Sequence, residues 1–134
     1  RDEFARQVDR SQFNRVNLLG MIATEAAYQH CEQWVDRLVT YVAKNQRHFA
    51  QAINASKIGL HAIEMDSLYL SWIDCRDTEM TPTELEDHLL IKAKVWLDKG
   101  PKFGIEGHGF MRANLGCPRS TINEAVRRLQ SSFN

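Results

Sequence analysis

The sequence predicts an α+β domain in which helices cover a small, mostly antiparallel sheet of about three strands. The first observation is a run of apolar residues at steps of three and four between Trp34 and Ile53, which is the pattern of one long amphipathic helix. The second is a pair of short segments, 60–64 and 68–74, whose alternating aromatic and β-branched residues are typical of strands. The third is another strand-like segment, 107–118, between two further helical patterns.

Two shorter helices are predicted before the long one. Residues 1–13 are mostly polar with scattered apolar positions, and residues 16–31 are rich in alanine, leucine and methionine at helical spacing. The long helix should end near Ser56, because Gly59 lies just beyond it. A helix of that length in so small a chain is typical of a connection between two parts of a larger molecule.

A capping box predicts where the next helix begins. Thr81 and Glu84 stand three residues apart, and Pro82 occupies the first helical position. Lys99-Gly100-Pro101 should end this helix. Its inward-facing residues are expected to be Leu85, Leu89, Ala93 and Trp96.

A second capping pattern, Thr121-x-x-Glu124, predicts a final helix. The apolar side of that helix carries Ile122, Ala125, Val126, Leu129 and Phe133. The tryptophans fall at core positions of their elements, and all three are predicted to be buried: Trp34, Trp72 and Trp96.

Arg112 is the polar residue with the most specific predicted role. On a strand, Phe110, Arg112 and Asn114 share one face, while the apolar residues between them share the other. An unpaired cation in such a segment is costly, so Arg112 should have an anionic partner. A guanidinium fork fits a carboxylate, which makes a small acid one candidate ligand and an internal Asp or Glu the equal alternative. Asn114 could donate to the same ligand or satisfy a loop.

Composition limits the other possible functions. Among 134 residues, 17 Lys and Arg balance 17 Asp and Glu, so no charge excess indicates nucleic acid or a membrane surface. Cys31, Cys75 and Cys117 form no CxxC pair and are expected to be reduced thiols of a cytoplasmic protein. The five histidines show no ligand spacing, so no metal site is predicted.

The glycine-rich segment 100–109 is not predicted to hold a phosphate. A phosphate loop needs a helix directly after it, whereas a strand follows this segment. A flexible loop beside a site is the better interpretation. The sequence shows neither a general base nor a nucleophile around Arg112, which indicates a binding element without catalytic residues. The first residue is Arg1 rather than Met, so we expect the chain to be a piece of a longer protein.

Three longer segments and a few single residues together resemble a known enzyme family. The segments are Asn-Leu-Leu-Gly-Met-Ile-Ala-Thr-Glu-Ala-Ala-Tyr (17–28), Tyr-Leu-Ser-Trp-Ile-Asp-Cys-Arg (69–76) and Gly-Phe-Met-Arg-Ala-Asn-Leu-Gly-Cys-Pro-Arg-Ser (109–120), and the single residues are Trp34, Tyr41 and Asn45. Their order resembles the pyridoxal 5′-phosphate (PLP) enzymes of fold type I. More narrowly, it resembles the cystathionine β-lyase-like C–S lyases of the MalY–PatB type.

The resemblance implies a C-terminal fragment of such an enzyme. Residues 1–30 would be the helical tail of the large PLP domain, and residues 31–134 would be the small domain, entered through the long interdomain helix. In the family an upstream lysine in a Ser-x-x-Lys setting holds the cofactor, and no lysine here has that setting. We therefore expect no catalytic or cofactor-binding residue in the fragment, which should be inactive alone.

The resemblance also implies a role for Arg112, which aligns with the arginine that grips the substrate α-carboxylate. The parent would be a cytoplasmic, homodimeric lyase acting on cystathionine or another cysteine conjugate. An aminotransferase of the same fold is the first alternative. A free-standing, non-enzymatic domain that binds a small acid or a protein is the second.

Overall fold

The computed structural model describes residues 1–11 and 17–133, which fall into two compact units divided between Leu38 and Val39. Three helices occupy the first part of the chain: α1 (Asp2–Ser11), α2 (Leu18–His30) and α3 (Glu32–Ser56). The predicted ends at residues 12–13 and 16 lie outside the described residues. All three predicted helices are otherwise confirmed.

Helix α2 is apolar on several sides. The side chain of Asn17 caps it by accepting a hydrogen bond from the backbone N–H of Gly20 at 2.7 Å. None of the described residues of α1 or α2 is buried. Large apolar side chains of α2 are instead exposed, namely Leu18, Leu19, Met21, Ile22 and Tyr28. A helix with so little polar surface is typical of an element that another part of a larger structure covers.

The second unit contains a four-stranded antiparallel sheet in its described residues. The strands are β1 (His61–Ala62), β2 (Leu70–Asp74), β3 (Asp98–Lys99) and β4 (Phe110–Asn114), in the order β1-β2-β4-β3. The antiparallel sheet is confirmed, with one strand more than predicted. Strand β3 has only two residues and lies where the sequence predicted the end of a helix.

Helix α4 (Pro82–Asp87) begins with the predicted capping box between Thr81 and Glu84. It continues into one π-helical turn, His88–Ala93, and ends because Lys94 adopts a left-handed conformation with φ 54°. Trp96 therefore lies beyond the helix and is 87% exposed, so its predicted inward position is wrong. Trp34 is also exposed, at 57%, whereas Trp72 is half-buried.

Helix α5 (Arg119–Phe133) closes the unit. It begins two residues before Thr121, so the predicted capping box at Thr121 does not mark its start. The core lies between one face of the sheet and α3, α4, the π-helical turn and α5. Its most enclosed apolar members are Phe49, Ile53, Leu60, Ile73, Leu89 and Leu129.

The short strand β1 has a side-chain partner on α3. The Oδ1 of Asn54 accepts a hydrogen bond from the backbone N–H of Ala62 at 2.8 Å. The Nδ2 of the same side chain donates to the carbonyl oxygen of Ala62 at 3.1 Å. One amide therefore satisfies both backbone groups of this residue.

Candidate carboxylate-binding site

The two faces of the sheet differ sharply in burial. On the inner face Ser71, Ile73, Met111 and Ala113 are buried against the helices. On the outer face the side chains of the same strands are half-buried or exposed. The predicted alternation around Arg112 is therefore confirmed, and Arg112 lies on the outer face.

The strand register places two residues directly opposite Arg112. Trp72 of β2 faces it on one side and Asp98 of β3 on the other. The Nη2 of Arg112 donates a hydrogen bond of 2.8 Å to Oδ2 of Asp98. The internal carboxylate that the sequence left open as an alternative is therefore present.

An aromatic ring holds the guanidinium of Arg112 from a second direction. The Cζ atom lies 4.1 Å from the ring centroid of Phe103, which is a cation–π contact. Phe103 in turn contacts Trp72 edge to face, with ring centroids 5.5 Å apart. The orientation of Arg112 is thus fixed by a carboxylate and by a ring.

Arg112 is not saturated by these contacts. A guanidinium has five N–H donors, and Asp98 accepts from one of the two on Nη2. The Nε is enclosed and has no partner among the described residues. The Nη1 also lacks a partner among the described residues, but this atom is accessible to solvent. Since the side chain is 23% exposed and Nη1 is not enclosed, Nη1 remains available to an anion.

Asp98 is itself held by two cations. Its Oδ1 accepts a hydrogen bond from Nζ of Lys102 at 3.1 Å, while Oδ2 accepts from Arg112. These hydrogen bonds, first that from Arg112 and then that from Lys102, keep the pKa of the Asp98 carboxyl below its ordinary value. Asp98 is therefore ionised wherever the protein is folded at neutral pH.

The glycine-rich segment positions Phe103. Two short 3-10 turns, Gly100–Phe103 and Ile105–Gly107, bring the backbones of Gly100 and Gly107 into direct contact. A Cβ atom on either residue would overlap the carbonyl oxygen of the other. The two glycines are therefore required for a close backbone crossing.

Asn114 lies on the same face as Arg112, two residues further along β4. Its Oδ1 accepts a hydrogen bond from the backbone N–H of Gly116 at 2.9 Å, so this atom satisfies the turn after the strand. A ligand role for its amide nitrogen stays a prediction.

A buried amide anchors the end of β4. The Nδ2 of Asn45 donates to the carbonyl oxygens of Leu115 and Cys117 at 3.1 and 3.0 Å. Its Oδ1 accepts a hydrogen bond from Nε of Arg119 at 2.9 Å. This fully satisfied network ties helix α3 to the strand that carries Arg112.

The cysteines and histidines show no catalytic arrangement in the described residues. Burial, followed by the negative charge of Asp74, raises the pKa of the Cys75 thiol to about 12, so it is not a nucleophile near neutral pH. Burial also raises the pKa of Cys117. Residues 1–11 and 17–133 contain no group of three or more potential metal ligands. In the same ranges, no helix has the length and apolar character needed to cross a membrane.

The lysines of this chain do not fit a PLP site. All six side chains are exposed: Lys44, Lys57, Lys92, Lys94, Lys99 and Lys102. Lys99 forms an ion pair with Glu86, and Lys102 forms one with Asp98. A lysine that holds a carbonyl cofactor needs a shielded setting that favours its neutral amine. The described residues offer no such amine, so no cofactor step is assigned to them.

Comparison with known proteins identifies the relatives of this arrangement. The chain is 32% identical over 133 residues to the cystathionine β-lyase PatB of Bacillus subtilis and 35% identical over 113 residues to the protein MalY of Escherichia coli. A PLP-bound structure described as an aminotransferase, from Clostridium difficile 630, superposes with a TM-score of 0.90 at 34% identity and covers 97% of the chain. The chain belongs to the family of cystathionine β-lyases and PLP-dependent, aminotransferase-like proteins that includes these relatives. No protein-family model matches it.

The match extends over only part of each family member. It covers 99% of this chain but 34% of PatB, and 84% of this chain but 29% of MalY. The C. difficile structure is covered to the same extent, 34%. The chain thus spans about a third of the length of its relatives, and its fold is that of the C-terminal domain of fold-type I PLP enzymes.

Proposed function

We propose that this chain is the small, C-terminal domain of a PLP-dependent C–S β-lyase, and that Arg112 binds the α-carboxylate of its amino-acid substrate. The observation that supports this most directly is the incomplete pairing of Arg112. Its guanidinium is oriented by Asp98 and Phe103, yet Nη1 and one hydrogen of Nη2 have no partner among the described residues. A cation that served only to pair internally would not need to be oriented with its end open.

The name of PatB supports the substrate class. PatB is a cystathionine β-lyase, so cystathionine or another cysteine conjugate is the proposed substrate. PLP supplies the electron sink for such a reaction when the rest of the protein holds it. The part of this chain is to grip the carboxylate and so to fix the direction of the bonds at Cα.

The exposed helix α2 supports the proposed division of the chain. Residues 1–30 would be the tail of the large domain, which would cover the apolar side chains of α2. Helix α3 would then lead into the small domain, residues 31–134. A homodimeric parent in the cytoplasm completes the proposal, and the three free thiols are compatible with a reducing compartment.

Transamination is the second candidate reaction. The C. difficile structure is described as an aminotransferase, and it has the same fold at 34% identity. Arg112 would have the same role in either reaction. Release of pyruvate, ammonia and a thiol identifies a lyase, whereas transfer of the amino group to a keto acid identifies an aminotransferase.

Replacement of Arg112 in the full-length protein tests the proposed function. We expect Arg112→Ala to lower kcat/KM for L-cystathionine by about 100-fold, since truncating one partner of a desolvated charge pair costs about 2–5 kcal/mol. Arg112→Lys is the matched control and should keep part of the affinity, because it keeps the charge but loses the fork. The absorption spectrum of bound PLP should not change in either variant.

Unchanged kinetics in Arg112→Ala would remove this arginine from the substrate site. Binding of simple carboxylic acids without any turnover by the full-length protein would instead favour the non-enzymatic domain.

A further inference from the structure

We infer that Asp98 is a positioning residue for Arg112, and that it stays bound to the guanidinium while a substrate carboxylate occupies the open end. This inference rests on the proposed function of Arg112. It adds Asp98, and behind it Lys102, to the residues that set the affinity for the carboxylate.

The backbone already brings the two side chains together. Asp98 and Arg112 are register partners in neighbouring antiparallel strands, where directly opposed side chains lie close enough to interact. Their single hydrogen bond of 2.8 Å fixes one edge of the guanidinium, and the ring of Phe103 restricts its plane. Without Asp98, only the ring contact would orient the end of this long side chain.

The donor geometry allows Asp98 to remain in place when a ligand binds. Asp98 uses one hydrogen of Nη2, which leaves the other Nη2 hydrogen and both Nη1 hydrogens. A carboxylate that accepts from Nη1 and Nη2 together needs only one hydrogen from each. By hydrogen count, Asp98 therefore need not leave when a carboxylate contacts Nη1, and a two-point contact forms beside it where Asp98 uses the Nη2 hydrogen that points away from Nη1.

Lys102 offsets the negative charge of Asp98, so that the carboxylate of Asp98 does not cancel the positive charge of Arg112. Arg112 and Asp98 alone would be neutral, and a neutral pair attracts an anion weakly. Lys102 lies 3.1 Å from the other Asp98 oxygen, so two cations and one anion leave a net charge of one positive unit. It donates to Oδ1 of Asp98, the oxygen that Arg112 does not contact.

Steady-state kinetics of the full-length protein test this inference. The substrate is L-cystathionine, or L-alanine as amino donor if no lyase activity is found. We expect Asp98→Ala to raise KM by about tenfold with little change in kcat, as loss of one hydrogen bond to a charged group predicts. Asp98→Asn keeps an acceptor oxygen opposite Arg112 and should restore KM to within about threefold of wild type. Lys102→Met should raise KM less than Asp98→Ala does.

A double-mutant cycle shows whether Asp98 acts through Arg112. In an Arg112→Ala background, Asp98→Ala should have no further effect on KM, because there is no guanidinium left to position. Asp74→Ala is the matched control: Asp74 is also an outer-face aspartate paired with an arginine, Arg76, at 2.6 Å. It should leave KM unchanged.

Three results would overturn the inference. A lower KM in Asp98→Ala would make Asp98 a competitor of the substrate. An additive effect of Asp98→Ala in the Arg112→Ala background would show that Asp98 does not act through Arg112. Failure of Asp98→Asn to restore KM would exclude a hydrogen-bonding role for Asp98. If Arg112→Ala itself leaves KM unchanged, the proposed function fails. If Arg112→Ala raises KM and Asp98→Ala does not, only the role of Asp98 fails.

Discussion

The inner and outer faces of the sheet share one backbone but have different tasks. Ile73 and Met111 point inward and are almost completely enclosed by apolar side chains. The residues next to them in the chain, Trp72 and Arg112, point outward, where ring contacts and an ion pair replace enclosure. Five-residue strands can thus stabilise the domain with one set of alternate residues and carry the proposed carboxylate site on the other.

A substitution on the inner face of the sheet should cause the largest loss of stability. Ile73 is fully buried in β2, so Ile73→Ala would leave a cavity and lower the free energy of unfolding by about 2–5 kcal/mol. Urea unfolding followed by circular dichroism measures this change. The control is Ile91→Ala, whose side chain is 70% exposed. Equal losses in the two variants would show that the inner face is not the main source of stability.

A substitution in the glycine-rich segment 100–109 should cause an intermediate loss of stability and should also raise KM. Gly107→Ala would place a methyl group against the carbonyl oxygen of Gly100, so the two 3-10 turns must separate. We expect a loss of about 1–3 kcal/mol of stability, as overpacking predicts, and a higher KM because Phe103 moves from Arg112.

Gly116→Ala is the matched control for that change. Gly116 lies outside the crossing, and its nearest contacts would be 3.2–3.3 Å from an added Cβ. If Gly107→Ala and Gly116→Ala have the same KM, the crossing does not position Phe103.

The two faces should also differ in their response to pH, and this is the smallest effect expected. On the helical side, burial and then the charge of Lys92 lower the pKa of His88, which contacts the ring of Phe133. Above the unfolded value of about 6.5 the ring is neutral in both states, and its contribution to stability is complete. As the pH falls below 6.5, the unfolded chain gains a proton that the folded ring does not, so stability decreases until the folded pKa is passed. The pKa of Asp98 is lowered as well, but from an ordinary value near 4, so the stability that its ion pairs contribute is lost only in more acidic solution, below about pH 4.

Urea unfolding between pH 7.5 and 5.5 measures the His88 effect. His88→Gln should flatten the decrease, whereas His108→Gln, at an exposed position, should retain it. A decrease of the same size in His88→Gln would assign it to another group.

Much of the inner face could be predicted from the sequence, because periodicity reports burial. The alternation from Phe110 to Leu115, the long helix α3 and the capping box at Thr81 each depend on residues close together in the chain. The partner of Arg112 depends on strand pairing, and β3 contributes only Asp98 and Lys99 to that pairing. A two-residue strand has no period, so the sequence allowed an internal acid without identifying which one.

The predicted burial of Trp96 failed for a related reason. Helical spacing from Leu85 onward includes Trp96, but the helix stops where Lys94 takes a positive φ. Lysine gives no sequence signal for such a conformation, unlike glycine. Phe103 was also missed as a contact of Arg112, since its position depends on the crossing of two glycines seven residues apart.

The amide of Asn54 has a consequence for how the protein meets other copies of itself. A strand at the border of a sheet presents free N–H and C=O groups that can recruit a foreign strand. Asn54 occupies both groups of Ala62 with one side chain, and so blocks the point at which a further strand would begin to add to β1. A single asparagine on a helix thus closes the backbone groups of Ala62 to a strand from another molecule.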